Sequence, residues 1–145
     1  MEQSWRELFK LLLQLGGSME RLEGIARAKT AAVMRDDING LNDCMKQEQV
    51  VSLSLRSMDM KRTKLLEGLG LGNLKLRELP ERCPQELRGE AQQVYETVRN
   101  KYMLYRSAAD VARTTLEANL HMIEKIIDDD NARLETQGGL TDIRA

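Results

Sequence analysis

The chain has 145 residues, a formal charge of −1 from 22 basic and 23 acidic side chains, and 3% aromatic residues. This length suits one domain with its own core, and the balanced charge argues against nucleic acid and anionic membranes as partners, because both attract a strongly basic protein. Two cysteines and one histidine are too few for a four-ligand zinc site, so we expect no metal and no cofactor.

The first predicted helix covers about residues 2–34. Its apolar residues recur in steps of three and four, the spacing of heptad a and d positions on one helix face. The row stays in phase across Gly16-Gly17, so we expect a kink or a close helix approach there rather than a break. The row consists of Trp5, Leu8, Leu12, Leu15, Met19, Leu22, Ala26, Lys29 and Val33.

A turn signal at residues 36–40 precedes a second predicted helix over about residues 38–69. The same spacing continues there, interrupted by Glu48 and Arg62, for which we expect a structural role, either in fixing the register or in reaching solvent. Two helices of matching length joined by a short turn predict a helical hairpin. The second row consists of Leu41, Cys44, Glu48, Val51, Leu55, Met58, Arg62, Leu65 and Leu69.

Residues 70–84 are predicted to be a connection rich in leucine and glycine. Its Gly-Leu-Gly-Leu-Gly run, at residues 68–72, lacks the Lys-Ser/Thr ending and the preceding strand of a phosphate-binding loop, so we interpret it as the end of the second helix. The leucines of the connection are expected to attach it to the end of the bundle.

The third predicted helix, about residues 85–131, is roughly 70 Å long, whereas each of the first two is about 48 Å long. Its last ~14 residues would therefore project beyond the hairpin turn by roughly 21 Å. They remain apolar on one side, which favours a contact site. The open alternative is that the linker or a bend in the third helix folds this surface back onto the bundle. Residues 132–145 are predicted to be a flexible tail.

Together these elements predict an all-α fold, an antiparallel bundle or coiled coil of three long helices in a single domain over residues 1–131. No set of side chains indicates an enzyme. His121 has no serine or cysteine in helical register, and Asp128–Asp130 lacks the loop glycine and final glutamate of an EF-hand. The run Leu11–Leu13 is too short for membrane insertion.

Two segments resemble the FlgN family of flagellar type III export chaperones: MDMKRTKLLEGLGLGNLKLREL at residues 58–79 and LEANLHMIEKIIDD at residues 116–129. The likeness covers about residues 5–130. It implies a cytoplasmic chaperone that binds the C-terminal helical region of hook-associated proteins, the subunits of the hook–filament junction. Such a chaperone prevents their premature assembly and delivers them to the type III export apparatus.

The resemblance also implies a partner-binding surface on the third helix, where the apolar projection was predicted independently. Some family members dock at the export gate through a Tyr-Gly pair in the tail, and this tail has no tyrosine, which weakens that expectation. The alternative function is a structural coiled-coil module that self-associates through the third helix, for example as a homodimer. The binding residues carried over by position are Leu116, Asn119, Leu120, Ile123 and Ile127.

Overall fold

The computed structural model describes residues 1–136, and all regular secondary structure in this part of the chain is helical. The α-helices are α1 (Glu2–Met34), α2 (Ile38–Gly68), α3 (Leu79–Arg82) and α4 (Arg88–Thr136). Two 3-10 turns, Leu76–Glu78 and Gln85–Leu87, flank α3. The predicted tail began at residue 132, and its residues 137–145 lie outside the described residues.

The prediction of three helices was incomplete, because the connection between the second and third long helices is itself partly helical. It contains the short helix α3, in which Pro80 occupies the first turn, where the missing proline N–H leaves no helical hydrogen bond unmade. Leu79 and Cys83 point from it into the core and are buried. Helix α4 starts at Arg88 instead of residue 85, because residues 85–87 form a 3-10 turn after Pro84.

Helix α1 packs against both α2 and α4, whereas α2 and α4 make little direct contact with each other. Lys29 Nζ lies 3.1 Å from Glu48 Oε2, and Ser18 Oγ donates a hydrogen bond to Met58 Sδ at 3.8 Å. The α1 residue nearer the C-terminus thus contacts the α2 residue nearer the N-terminus. The two helices therefore run in opposite directions, as expected of a hairpin.

Helix α4 runs in the same direction as α1. Arg6 Nη1 lies 3.3 Å from Glu90 Oε2, and Glu20 Oε2 lies 2.9 Å from Lys101 Nζ, so residue numbers increase in the same direction along both helices. Because α4 has 49 residues and α1 has 33, this pairing leaves the C-terminal part of α4 beyond the end of α1.

The core is densest at the end of the molecule where α1 begins and α2 ends. Trp5 and Phe9 pack there with their ring centroids 6.2 Å apart, beside Leu8 and Leu79, which are each 1% exposed. Each large apolar side chain buried in this way stabilises the fold by about 1.5–3 kcal/mol. The expectation that the leucines of the connection attach to the bundle is confirmed, because Leu71, Leu74 and Leu76 all pack against this cluster.

Gly16 marks a close approach of α1 and α4. It is buried, and a Cβ atom at this position would lie 3.4 Å from Lys101 Cδ and 3.6 Å from Val98 Cγ2. A Cβ atom at Gly17 would meet nothing within 4 Å. Helix α1 is continuous through both glycines, so the predicted close approach is confirmed at Gly16.

Candidate partner-binding surface

The candidate site is the part of α4 that extends beyond its packing on α1. Ala112, 3% exposed, is the last buried residue of α4. No described side chain from residue 113 to residue 136 is buried, a stretch of roughly 36 Å at 1.5 Å per residue. We call residues 113–136 the α4 extension. It is longer than the projection expected from the sequence, because α4 continues to Thr136.

The five predicted binding residues lie along one side of the α4 extension. Leu120, Ile123 and Ile127 are 56%, 46% and 53% exposed, respectively. Leu116 and Asn119, which are closest to the bundle, are partly exposed. Spacings of three and four residues bring all five onto one helical face. Among the described residues this surface does not fold back onto the bundle, so that alternative is wrong here.

Sequence reasoning left three apolar residues out of the site. Met122 and Ile126, 62% and 64% exposed, lie beside the predicted residues on the same side of the helix. Leu134 follows Ile127 by seven residues and therefore returns to the same row, with Asp130 at the position between them. This spacing could have revealed it, but the predicted helix ended at residue 131. We call the full row the apolar stripe, which consists of Leu116, Leu120, Ile123, Ile127 and Leu134.

Exposed apolar side chains are more concentrated on the α4 extension than on the other described helices. Five large ones fall within the eight positions from Leu120 to Ile127. On α2, by contrast, Val50, Leu53 and Met60 are dispersed among polar residues, which is ordinary for a protein surface. A contiguous exposed apolar surface is typical of a contact site.

An open groove also lies between α2 and α4, where these helices diverge over α1. Its volume is about 430 Å³, and its apolar lining includes Leu12, Leu15 and Val98. Arg62 and Asp59 form an ion pair at 2.7 Å on its α2 side. This groove is bordered by paired charges, whereas the α4 extension presents its apolar side chains on a free-standing helix.

The α4 extension is more acidic than the chain as a whole. The extension has six acidic and three basic residues, which gives a formal charge of −3, whereas the whole chain has −1. Arg113, one of the three basic residues, pairs with Asp110 at 3.4 Å. The candidate surface is therefore apolar on one face and acidic overall.

Reactive groups are sparse in residues 1–136. Within this range, no group of three or more His, Cys, Asp or Glu side chains is arranged to hold a metal ion. Both cysteines are free and buried. Burial raises the pKa of the Cys83 thiol, against the opposing effects of the Arg88 guanidinium and a backbone hydrogen bond. Thiols of this kind are weak nucleophiles at neutral pH.

The hydropathy of the described helices is lower than that of membrane spans. None of α1 to α4 combines the length and the apolar character that crossing a membrane requires. The long helices instead alternate apolar and charged faces, as is usual for helices that pack on one side only.

Comparison with known proteins gives one family. The family model described as FlgN protein matches residues 1–131, which include all five predicted binding residues. The resemblance noted in the sequence is thereby confirmed. Leu134 lies beyond the matched range. No curated protein and no solved structure matches the chain.

Proposed function

Because the chain belongs to the FlgN family, we propose that it is a cytoplasmic, non-enzymatic chaperone for flagellar export. Its substrates are the C-terminal helices of hook-associated proteins, which it keeps from assembling prematurely and delivers to the type III export apparatus. The long helices α1, α2 and α4 form a bundle, in which α2 runs opposite to the other two, and this bundle supports the α4 extension. The observation that carries this proposal is the exposed apolar stripe.

Binding uses the apolar stripe as one half of a helix–helix interface. A substrate helix with apolar residues at steps of three and four packs along Leu120, Ile123 and Ile127, and the contact removes them from water. Each buried side chain contributes about 1.5–3 kcal/mol, from which the ordering of a flexible substrate segment is subtracted. Asn119 adjoins the stripe, and a polar residue at a helix–helix interface favours one register.

A charge placed within the stripe tests the proposal. Ile123→Asp is expected to weaken binding of a hook-associated C-terminal segment at least tenfold, since about 1.4 kcal/mol corresponds to a factor of ten. Its thermal unfolding should be unchanged, because Ile123 is exposed. Isothermal titration calorimetry gives the affinity, and circular dichroism gives the unfolding temperature.

Ile38→Asp is the matched control, since Ile38 is 71% exposed and lies at the start of α2. This variant should bind like the original chain. Failure of the original chain to form any complex at tens of micromolar would contradict the chaperone proposal. A stable homodimer that Ile123→Asp dissociates would instead support self-association through the same stripe, and light scattering detects it.

A further inference from the structure

The two edges of the apolar stripe carry different side chains. Glu117 and Glu124 are seven residues apart, and Asp128 follows Glu124 by four, so these three carboxylates lie along one edge of the stripe. Met122 and Ile126 lie along the opposite edge, together with one acidic residue, Asp130, and one basic residue, Arg133. All of these side chains are exposed. We call Glu117, Glu124 and Asp128 the acidic edge.

No basic side chain of the described chain neutralises the acidic edge. Within residues 1–136, none of its carboxylates forms an ion pair. Lys125 lies three residues before Asp128 and His121 lies four residues after Glu117, but neither forms an ion pair with the acidic edge among the described residues. Arg113 is already paired with Asp110. The acidic edge is therefore available to charges on a partner.

A helix that covers the stripe brings its own edge residues close to these carboxylates. Lysine or arginine there gains attraction, whereas aspartate or glutamate is repelled, and the partial removal of water strengthens both effects. The opposite edge has no net charge, because Asp130 is offset by Arg133 three residues later, and its Met122 and Ile126 favour apolar contacts. The asymmetry therefore selects the chemistry of the partner and also its orientation on the stripe.

A second copy of this chain fits the surface poorly for the same reason. In an antiparallel pair of extensions like edges meet, so the two acidic edges would face each other. In a parallel pair each acidic edge would lie against the opposite edge of the other copy. Arg133 is the one basic residue there, so most of the carboxylates would lose water without gaining a counter-charge. An anionic membrane surface would be repelled as well.

We propose that the occupant of the stripe is an amphipathic helix with lysine or arginine along one edge of its apolar face, paired with the acidic edge. This inference rests on the proposed function, because it specifies the chemistry of the segment that the chaperone holds. The apolar side chains supply most of the affinity, and the basic row fixes direction and discriminates among helices with similar apolar spacing.

The test uses the full chain and two synthetic helical peptides with identical apolar spacing, one with lysine and one with glutamate along the same edge. We expect the lysine peptide to bind at least tenfold more tightly at about 0.05 M salt, with the difference shrinking at about 0.5 M as salt screens exposed charges. The variant Glu117→Gln/Glu124→Gln/Asp128→Asn should lose most of this preference, with roughly fivefold weaker binding of the lysine peptide.

The matched control is Asp43→Asn/Glu67→Gln/Glu86→Gln, which removes the same total charge from exposed carboxylates elsewhere. It should retain the preference. Equal affinity for both peptides, or equal losses in the two triple variants, overturns the assignment of the acidic edge.

A hook-associated C-terminal segment, titrated in parallel, separates the two proposals. If it binds the original chain but neither salt nor the acidic-edge variant alters its affinity, the chaperone proposal stands and the charge inference fails. If this segment binds neither the original chain nor any variant, the proposed function itself fails. If this segment binds the original chain, and the acidic-edge variant weakens it more than the control variant does, both proposals are supported.

Discussion

Gly16 and Gly17 are adjacent in α1 but have opposite surroundings, so substitutions at them should have opposite effects. Gly17→Ala is expected to raise the free energy of unfolding by about 0.5–1 kcal/mol, because alanine favours the helix and its Cβ meets nothing within 4 Å. Gly16→Leu should lower it by roughly 1–3 kcal/mol, because the added side chain presses on Val98 and Lys101. Urea unfolding followed by circular dichroism measures both. A stable Gly16→Leu variant would contradict the close packing of α4 on α1.

Individual polar residues show what a sequence pattern can predict and what it cannot. The heptad pattern predicted structural roles for Glu48 and Arg62, and Glu48 does pair with Lys29, the polar residue of the first row. Which residues pair was not predictable, because it depends on the register between two helices and on side-chain length. Arg62 instead pairs with Asp59 in its own helix. The pattern thus identifies polar positions in a helix–helix seam, whereas the packed structure determines their partners.

Helix α4 has a packed part and an exposed part, and we expect the first to determine stability and the second to determine binding. Deleting residues 117–145 is expected to change the free energy of unfolding by less than about 1 kcal/mol, because no described residue in that range is buried. The same deletion should abolish binding of a hook-associated segment. Circular dichroism and calorimetry measure the two effects.

Ala112→Asp provides the contrast for that deletion, because Ala112 is 3% exposed where α4 still packs on the bundle. A charge at this position should destabilise the protein strongly, by roughly 3 kcal/mol or more. If the deletion destabilises the protein as much as this substitution does, the α4 extension has contacts beyond those described.

At the scale of elements, long periodic segments were predictable and short ones were not. The starts of α1 and α2 agree with the sequence pattern because each row of apolar residues extends over about eight helical turns. Helix α3 has four residues, too few to show any period, and its position depends on the burial of Leu79. The end of α4 was placed too early because three consecutive aspartates resemble a solvated terminus, although a helix can continue through them.

For the whole molecule, the charge of the α4 extension leads to a prediction about oligomeric state. We expect a monomer by light scattering at about 0.1 M salt and up to roughly 100 µM protein, because two extensions of charge −3 repel each other. The acidic-edge variant should self-associate more readily, since it exposes the same apolar stripe with less repulsion. Dimerisation of the original chain that is stronger than that of the variant would contradict this prediction.

The family and the general location of the binding surface were predictable for the whole molecule because both depend on local sequence. The resemblance rests on two continuous segments, and the projection follows from the relative lengths of the helices. The central position of α1 and the small contact between α2 and α4 were not predictable. All three helices carry similar apolar rows, so periodicity alone does not tell which of them lies in the middle.

The absence of buried side chains on the described α4 extension has a consequence for how such a protein can change over generations. Substitutions there alter what is held without disturbing the scaffold, so new cargo preferences can arise by single steps that leave the rest of the chain intact. Residues around Trp5 and Leu79 have no comparable freedom, because each contributes to the packing of several helices. Variation in cargo choice should accordingly accumulate at the tip of the molecule.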